Sequence, residues 1–189
     1  MKDNGYISPE LNEMLNKIVQ YCFNINRMYD AGGSVLGIKF VMDNYLQKFH
    51  HKVFHAFPIM ADLVSDIQAN YNVITTYLPT MKGRNDYDSP LEFFEDVLNY
   101  MLEAQKYVRE TVEYALISAD NDPYATSYVV AKALDKFAML LGKFIGQAIL
   151  LRDKAEMYGN DRFHIQMLDA DIGKWRSITV DDLPESLLD

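Results

Sequence analysis

Histidines and aspartates recur at helical spacing in the segment from His51 to Asp66. His51 and His55 are four residues apart, which places both imidazoles on one face of a helix. Asp62 follows His55 by seven residues, and Asp66 lies four residues further along the same face. Two imidazoles at this spacing chelate a metal ion well, and carboxylates complete its coordination shell. The sequence therefore predicts a metal site with these ligands: His51, His55, Asp62 and Asp66.

A second interpretation of this polar stripe stays open. It is offset from the apolar stripe of the same helix, which consists of Met42, Leu46, Phe49, Val53, Phe57, Met60, Val64 and Ile67. The polar side chains would therefore face solvent or a neighbouring subunit, and Pro58 interrupts the straight course of the helix. The alternatives are a metal site shared between two chains and a solvated face whose histidines bind water or an interface.

Other kinds of site find less support. Cys22 is the sole cysteine, which excludes an intrachain disulfide, and it falls on an apolar stripe, which indicates a core residue. The glycine-containing segment from Asp30 to Gly37 lacks the lysine and the preceding strand of a phosphate-binding loop. Gly142 and Gly146 are four apart on one helix. They allow close helix approach, either at a subunit contact or within the bundle.

Composition limits the class of protein and its partners. The chain has 189 residues, of which 49% are hydrophobic and 24% charged, as is usual for a soluble globular domain. Its formal net charge of −9 disfavours binding to nucleic acid and to anionic membranes. The sequence begins without the apolar region of a signal peptide, and no stretch is long and apolar enough for a membrane span. We therefore expect a cytoplasmic protein with neither nucleic acid nor membrane as a partner.

The clearest element is a pair of long helices from Ser89 to about Asn160. Ser89 is a favourable N-cap, Pro90 fits the first helical position, and Glu92 completes a capping-box pattern. One apolar stripe follows, formed by Leu91, Phe94, Leu98, Met101, Gln105, Val108, Val112 and Ala115. A turn is expected at residues 120–123, and the return helix is expected to reach about Tyr158. Two such stripes need further helices to cover them.

The remaining segments supply those helices. A first helix begins at Ser8-Pro9 and is expected to stop at the glycines of residues 30–34. A second helix is expected to begin between residues 34 and 38 and to reach about Tyr71, with Pro58 either kinking or splitting it. A long connection then precedes the helical pair. The predicted fold is all-α, a four-helix bundle with a long crossover between helices 2 and 3, followed by a short C-terminal helix. The predicted domains are residues 1–172 for the bundle and 173–189 for an acidic tail.

Several segments resemble bacterial-type non-haem ferritins in order and spacing. They are Leu11-Asn12-Glu13 through Lys17, Ser89 through Glu95, Asn121-Asp122-Pro123, Leu151 through Lys154 and Met167 through Gly173. The resemblance implies a ferritin-like four-helix bundle that assembles into a homo-oligomer. It also implies a role in iron storage and iron as the ligand.

The family's internal di-iron ligands have no counterparts in this sequence. In the best register its glutamates fall on Ile18 and Met101, and a further polar position falls on Phe137. The second helix lacks the family's Glu-x-x-His pair, since no glutamate occurs between Gly37 and Tyr87. Buried carboxylates without a metal are very costly, so a bundle that lost its metal is expected to carry apolar residues there. The sequence therefore predicts a degenerate di-iron centre.

Three hypotheses about function follow from the resemblance. The first is an oligomeric ferritin-like protein related to iron storage, with the internal centre lost. The second is an active ferroxidase that uses a relocated or intersubunit site at the four predicted ligands. The third is a DNA-protecting mini-ferritin. The segment from Val35 to Phe40 resembles a pattern of that family, but Asn44 replaces the histidine expected after it. The net charge and the lack of a lysine-rich arm also oppose this hypothesis.

Overall fold

The computed structural model describes residues 6–120, 122 and 124–188. All regular secondary structure in this part of the chain is helical. Its α-helices are α1 (Pro9–Lys39), α2 (Asp43–Phe49), α3 (Ala56–Asn70), α4 (Pro90–Ala119), α5 (Thr126–Tyr158) and α6 (Arg162–Ile172). A π-helical turn, His50–Phe54, joins α2 to α3, and a 3-10 turn, Val180–Asp182, lies in the C-terminal segment. Helices α1, α3, α4 and α5 pack as a four-helix bundle, which confirms the predicted all-α fold class.

The helical pair α4–α5 forms largely as the sequence predicts. Ser89 Oγ accepts a hydrogen bond from the Glu92 amide at 3.1 Å, and the Glu92 carboxylate accepts one from the Asp88 amide at 2.8 Å. These bonds satisfy amides that have no partner within the helix. Asn121 and Pro123 of the predicted turn lie outside the described residues. Helix α5 begins at Thr126 with Ala125 in the N-cap position, and Asp122, in the preceding turn, accepts the Ser127 amide at 2.7 Å.

The predicted end of the first helix at residues 30–34 is wrong. Helix α1 continues through Gly32 and Gly33 to Lys39, and both glycines are buried. A Cβ atom at Gly33 would lie 2.7 Å from Cε2 of Phe54, and one at Gly32 would collide with the ring of Phe93. The glycines therefore allow two aromatic rings to approach the helix backbone, and they do not terminate the helix.

The predicted second helix is also different in the structure. It begins at Asp43 and not between residues 34 and 38, and the π turn divides it ahead of Pro58. Pro58 lies in the first turn of α3, where a missing amide hydrogen costs little. In a continuous α-helix the carbonyl of Phe54 would need an amide hydrogen from residue 58, which proline lacks. That carbonyl instead accepts a hydrogen bond from Asn26 Nδ2 of α1 at 3.0 Å.

The crossover between α3 and α4 is held along α1 by side-chain amides spaced four residues apart. Asn16 Oδ1 accepts the Thr76 amide at 2.8 Å, and Asn24 Oδ1 accepts the Met81 amide, also at 2.8 Å. Between them, Gln20 Nε2 donates to the carbonyl of Pro79. These bonds satisfy backbone groups of a segment that has no regular structure of its own. The long crossover is therefore confirmed, and a row of amides positions it.

The described part of the C-terminal segment packs back along α5. The Ile178 amide donates to Gln147 Oε1 at 2.9 Å, and Lys136 Nζ donates to the carbonyl of Leu187 at 3.2 Å. Leu187 is buried. The division into domains at residue 172 stays a prediction.

Candidate metal centre

The middle of the bundle is filled with apolar side chains at the positions that the ferritin register picks out. Ile18, Met101 and Phe137 are all buried, and none of them carries an oxygen ligand. Among the described residues, the buried polar and charged side chains are Asn16, Asn24, Gln68, Thr111, Thr126, Ser127 and Asp169. A hard cation such as ferric iron prefers several anionic oxygens at short range. The residues present at mid-bundle do not fit a di-iron centre.

Asp169 is the one carboxylate in that buried set, and it has a structural partner. Its Oδ2 accepts the Asn44 amide at 3.0 Å, and its Oδ1 accepts the Tyr45 amide at 2.8 Å. Asn44 Nδ2 adds a third bond at 2.8 Å. The Asp169 side chain from α6 thus caps the N-terminus of α2, where free amides and the helix dipole both favour a negative charge.

A cluster of possible metal ligands lies at the end of the bundle where α1 meets the π turn. It consists of Asp30, His50 and His55, and we call it the aspartate–histidine cluster. One ligand atom from each side chain lies within 4.8 Å of the other two. Oδ1 of Asp30 is 4.0 Å from Nε2 of His50. In the described part of the chain, no other group of three or more histidine, cysteine or acidic residues converges in this way.

The π turn is what brings the two histidines of the cluster together. In an α-helix, residues five apart point about 140° away from each other. A π turn bonds residue i to residue i+5, so residues five apart lie on one side. The ring centroids of His50 and His55 are accordingly 5.2 Å apart. Turns of this kind occur often at functional sites.

Helix α1 positions Asp30 against this turn through its neighbours on the same face. Asn26, one turn earlier, donates to the carbonyl of Phe54. Tyr29 stacks on the Phe54 ring with a centroid distance of 4.7 Å, and Gly33 lets the same ring approach the helix. Phe54 lies between the two histidines of the cluster in sequence. The three contacts therefore fix α1 and the π turn relative to each other and place Asp30 beside both imidazoles.

The cluster is partly open to solvent. The side chains of Asp30 and His50 are 36% and 42% exposed, and His55 is exposed. One oxygen of Asp30, Oδ1, is nevertheless buried and accepts no hydrogen bond from the described residues. A buried carboxylate oxygen without a donor costs about 1–3 kcal/mol or more. This atom faces the histidines, so a ligand bound there would supply the missing interaction.

The distances are close to those that a metal ion requires. Around a tetrahedral ion with bonds of about 2.1 Å, ligand atoms lie about 3.4 Å apart. The spread of up to 4.8 Å in the cluster is therefore wider by up to about 1.4 Å than a tetrahedral ion needs. Rotation of exposed imidazoles covers a distance of that size without any movement of the backbone.

The four ligands predicted from the sequence are distributed differently. His51 and His55 do lie near each other, with ring centroids 5.5 Å apart. Asp62 and Asp66 are four residues apart on α3 and so lie on one face of that helix. Burial and the negative charge of Asp66 raise the pKa of Asp62. The two pairs are separated by seven residues from His55 to Asp62, roughly 10 Å along the helix. A site that uses all four stays a prediction, and it needs ligands from two chains.

The sequence does not predict Asp30 and His50 as ligands, and the reasons are physical. Asp30 stood in a segment assigned to the end of a helix, far from the histidines in sequence. His50 is adjacent to His51 in sequence, but α-helical spacing pairs His51 with His55 and turns His50 away. The signal available was the Pro58 interruption, which marks a place where helical spacing changes.

Comparisons with known proteins give the fold. No family model matches the sequence, and no curated protein matches it. Among solved structures, it is similar to an open-pore ferritin from the hyperthermophilic archaeon Archaeoglobus fulgidus. The TM-score is 0.77 at 19% identity, over 90% of this chain and 99% of that chain. A ferritin from the green alga Ulva pertusa gives a TM-score of 0.75 at 13% identity, over 92% and 88% of the two chains.

A membrane-spanning helix is not found among the described residues.

The bundle, its long crossover and these similarities lead to one conclusion. The chain has the ferritin-like fold.

Proposed function

We propose that this chain is a ferritin-like protein related to iron storage, that it assembles into a homo-oligomer, and that its bundle centre does not oxidise iron. The fold supports the relation to ferritins. The observation that carries the proposal is the apolar filling at Ile18, Met101 and Phe137. Iron taken up by such an assembly is its cargo and not a resident cofactor of each bundle.

The physical reason is the cost of burying charge. A carboxylate in a low-dielectric interior is strongly destabilising unless a cation or several donors compensate it. Side chains that lack charge at mid-bundle keep the interior stable without metal. They also remove the carboxylate oxygens that would hold two iron ions, so no iron is held there to react with dioxygen. The bundle is then a scaffold for assembly.

Exposed apolar side chains support self-association. Met139 and Met157 on the outer face of α5 are 71% and 73% exposed, and Ile149 lies on the same face. Gly142 and Gly146 are exposed between them, and a Cβ at either would contact nothing within 4 Å. The glycines therefore do not serve packing within the chain, and a subunit contact is the remaining interpretation.

Two measurements test the proposal together. Light scattering gives the mass of the purified protein, and dioxygen consumption after addition of ferrous iron gives its oxidation rate. We expect an assembly of many chains and a rate equal to that of ferrous iron in buffer. A metal-free monomer would contradict the assembly, and fast oxidation that survives replacement of the surface histidines would contradict the inert centre.

The relocated ferroxidase is the second candidate. The proximity of His51 to His55, and of Asp62 to Asp66, favours it. Here the histidine pair of one chain would meet the aspartate pair of another. The double variants His51→Ala/His55→Ala and Asp62→Asn/Asp66→Asn should each lose oxidation, whereas oligomers reassembled from both should regain part of it. Equal rates in the wild type and the histidine variant would remove this candidate.

A further inference from the structure

We propose that Asp30, His50 and His55 bind one divalent first-row transition metal ion, and that this ion fastens the π turn to α1. The site lies within one chain. It depends neither on iron storage nor on assembly, so it goes beyond the proposed function.

The donor set indicates the class of metal. Two imidazoles and one carboxylate suit zinc, ferrous iron and their neighbours, whereas magnesium and calcium prefer shells made of oxygen alone. Three protein ligands leave further positions for water or another small ligand. The side chain of His55 is exposed, so water can reach the cluster.

The orphaned oxygen of Asp30 is an independent observation that points to a cation. Oδ1 is buried, faces His50 and accepts no hydrogen bond from the described residues. Lys52, the lysine of the π turn, does not supply the missing partner, because it lies 4.0 Å from Asp181 of the C-terminal segment. A metal ion would give the buried oxygen of Asp30 its missing partner.

The surrounding packing keeps the three ligands in register before any ion binds. The Asn26–Phe54 hydrogen bond and the Tyr29–Phe54 stack join α1 to the π turn. His50 also packs edge-on against Phe54, with a centroid distance of 5.9 Å. Binding therefore requires side-chain rotation and no movement of the backbone. Once bound, the ion would add a third link between two elements that are joined by the Asn26–Phe54 hydrogen bond and the Tyr29–Phe54 stack.

Titration of the full-length protein with Co²⁺ tests the proposal. Cobalt is a spectroscopic substitute for zinc and ferrous iron, and bound Co²⁺ gives d–d absorption in the visible range. We expect one ion per chain. Asp30→Asn and His50→Asn should each weaken binding by at least about tenfold, because even the outer-shell partners of metal ligands contribute that much. Circular dichroism of each variant checks that the helices are retained.

Two further variants sharpen the result. His164→Asn, on α6, is the matched control and should bind Co²⁺ like the wild type. His51→Asn separates this cluster from the site predicted by helical spacing, and we expect its affinity to change by less than Asp30→Asn changes it. Wild-type affinity in a folded Asp30→Asn variant, or a larger loss in His51→Asn than in His50→Asn, would overturn the assignment. Neither outcome bears on mass or iron oxidation, which test the proposed function separately.

Discussion

The middle of the bundle and the end where α1 meets the π turn differ in whether they contain side chains that could bind a metal. At mid-bundle, Ile18, Met101 and Phe137 are buried and uncharged. At the end, Asp30, His50 and His55 converge with part of each side chain in solvent. The difference follows from the cost of charge, because water screens and solvates a carboxylate at the end but is absent from the middle. Among the residues that the structure describes, three ligand-type side chains converge where water lowers that cost.

The largest expected effect comes from restoring a carboxylate to the middle. Met101→Glu would bury an uncompensated charge and should lower the free energy of unfolding by about 3–5 kcal/mol. Leu102→Glu, on the exposed side of the same helix, should change it by no more than about 0.5 kcal/mol. Urea denaturation of both variants measures the contrast. Equal stability of the two, or recovery of Met101→Glu with ferrous iron, would mean that the middle can accommodate an ion.

Metal addition is the next strongest test, and it acts on the other region. An ion that binds only the folded chain stabilises it by about 2.7 kcal/mol at a concentration of 100 times Kd. For a chain of this length that raises Tm by roughly 5–11 °C. Thermal unfolding with and without Zn²⁺ measures the shift, which chelation should reverse and which His50→Asn should lose. An undiminished shift in His50→Asn would place the ion elsewhere.

The packing that supports the cluster can be disturbed without touching a ligand. Gly33→Ala pushes a Cβ against the Phe54 ring, and such overpacking costs about 1–3 kcal/mol. Ser34→Ala, at the next position and exposed, should stay within about 0.5 kcal/mol of the wild type. Urea denaturation measures both, and Co²⁺ binding should weaken only in Gly33→Ala. Unchanged stability in that variant would show that the ring moves freely and does not fix the turn.

The smallest effect concerns the exposed aspartate pair on α3. Partial burial and the charge of Asp66 raise the pKa of Asp62 above its usual value of 3.8. A raised acid pKa favours the protonated form in the folded state, so the folded chain loses stability as pH rises above about 4. Asp62→Asn should therefore be more stable than the wild type at pH 7, by roughly a few tenths of a kcal/mol after solvent screening, and equal to it near pH 3. A larger gain at pH 3 than at pH 7 would contradict the proximity of the two carboxylates.

The accuracy of the sequence analysis varied along the chain for physical reasons. Helices α4 and α5 are predictable from local sequence, because the Ser89 cap and the apolar stripes involve residues that are only a few positions apart. The predicted end of α1 is wrong because glycine can either end a helix or make room for a neighbouring side chain. The local sequence does not show that aromatic rings from distant elements pack against Gly32 and Gly33. The amides that hold the crossover do recur every four residues, at Asn16, Gln20 and Asn24, but their partners lie some 60 residues away.

The candidate site divides in the same manner. The sequence predicts a metal site in a histidine-rich segment that includes His55, and it predicts apolar residues at the bundle centre. The prediction applies α-helical spacing to the whole segment and therefore pairs His51 with His55. In the structure, His50 and not His51 lies with His55 beside Asp30.

Amino-acid order by itself determined where the long helices form and which faces they bury, because caps and apolar periodicity are encoded within single elements. Only the tertiary structure decided how α1 passes two glycines, where the π turn falls, and which carboxylate meets the histidines. Those outcomes depend on Phe54 and Phe93 packing against α1 from elements more than twenty residues away, and the local sequence around the glycines does not encode those contacts.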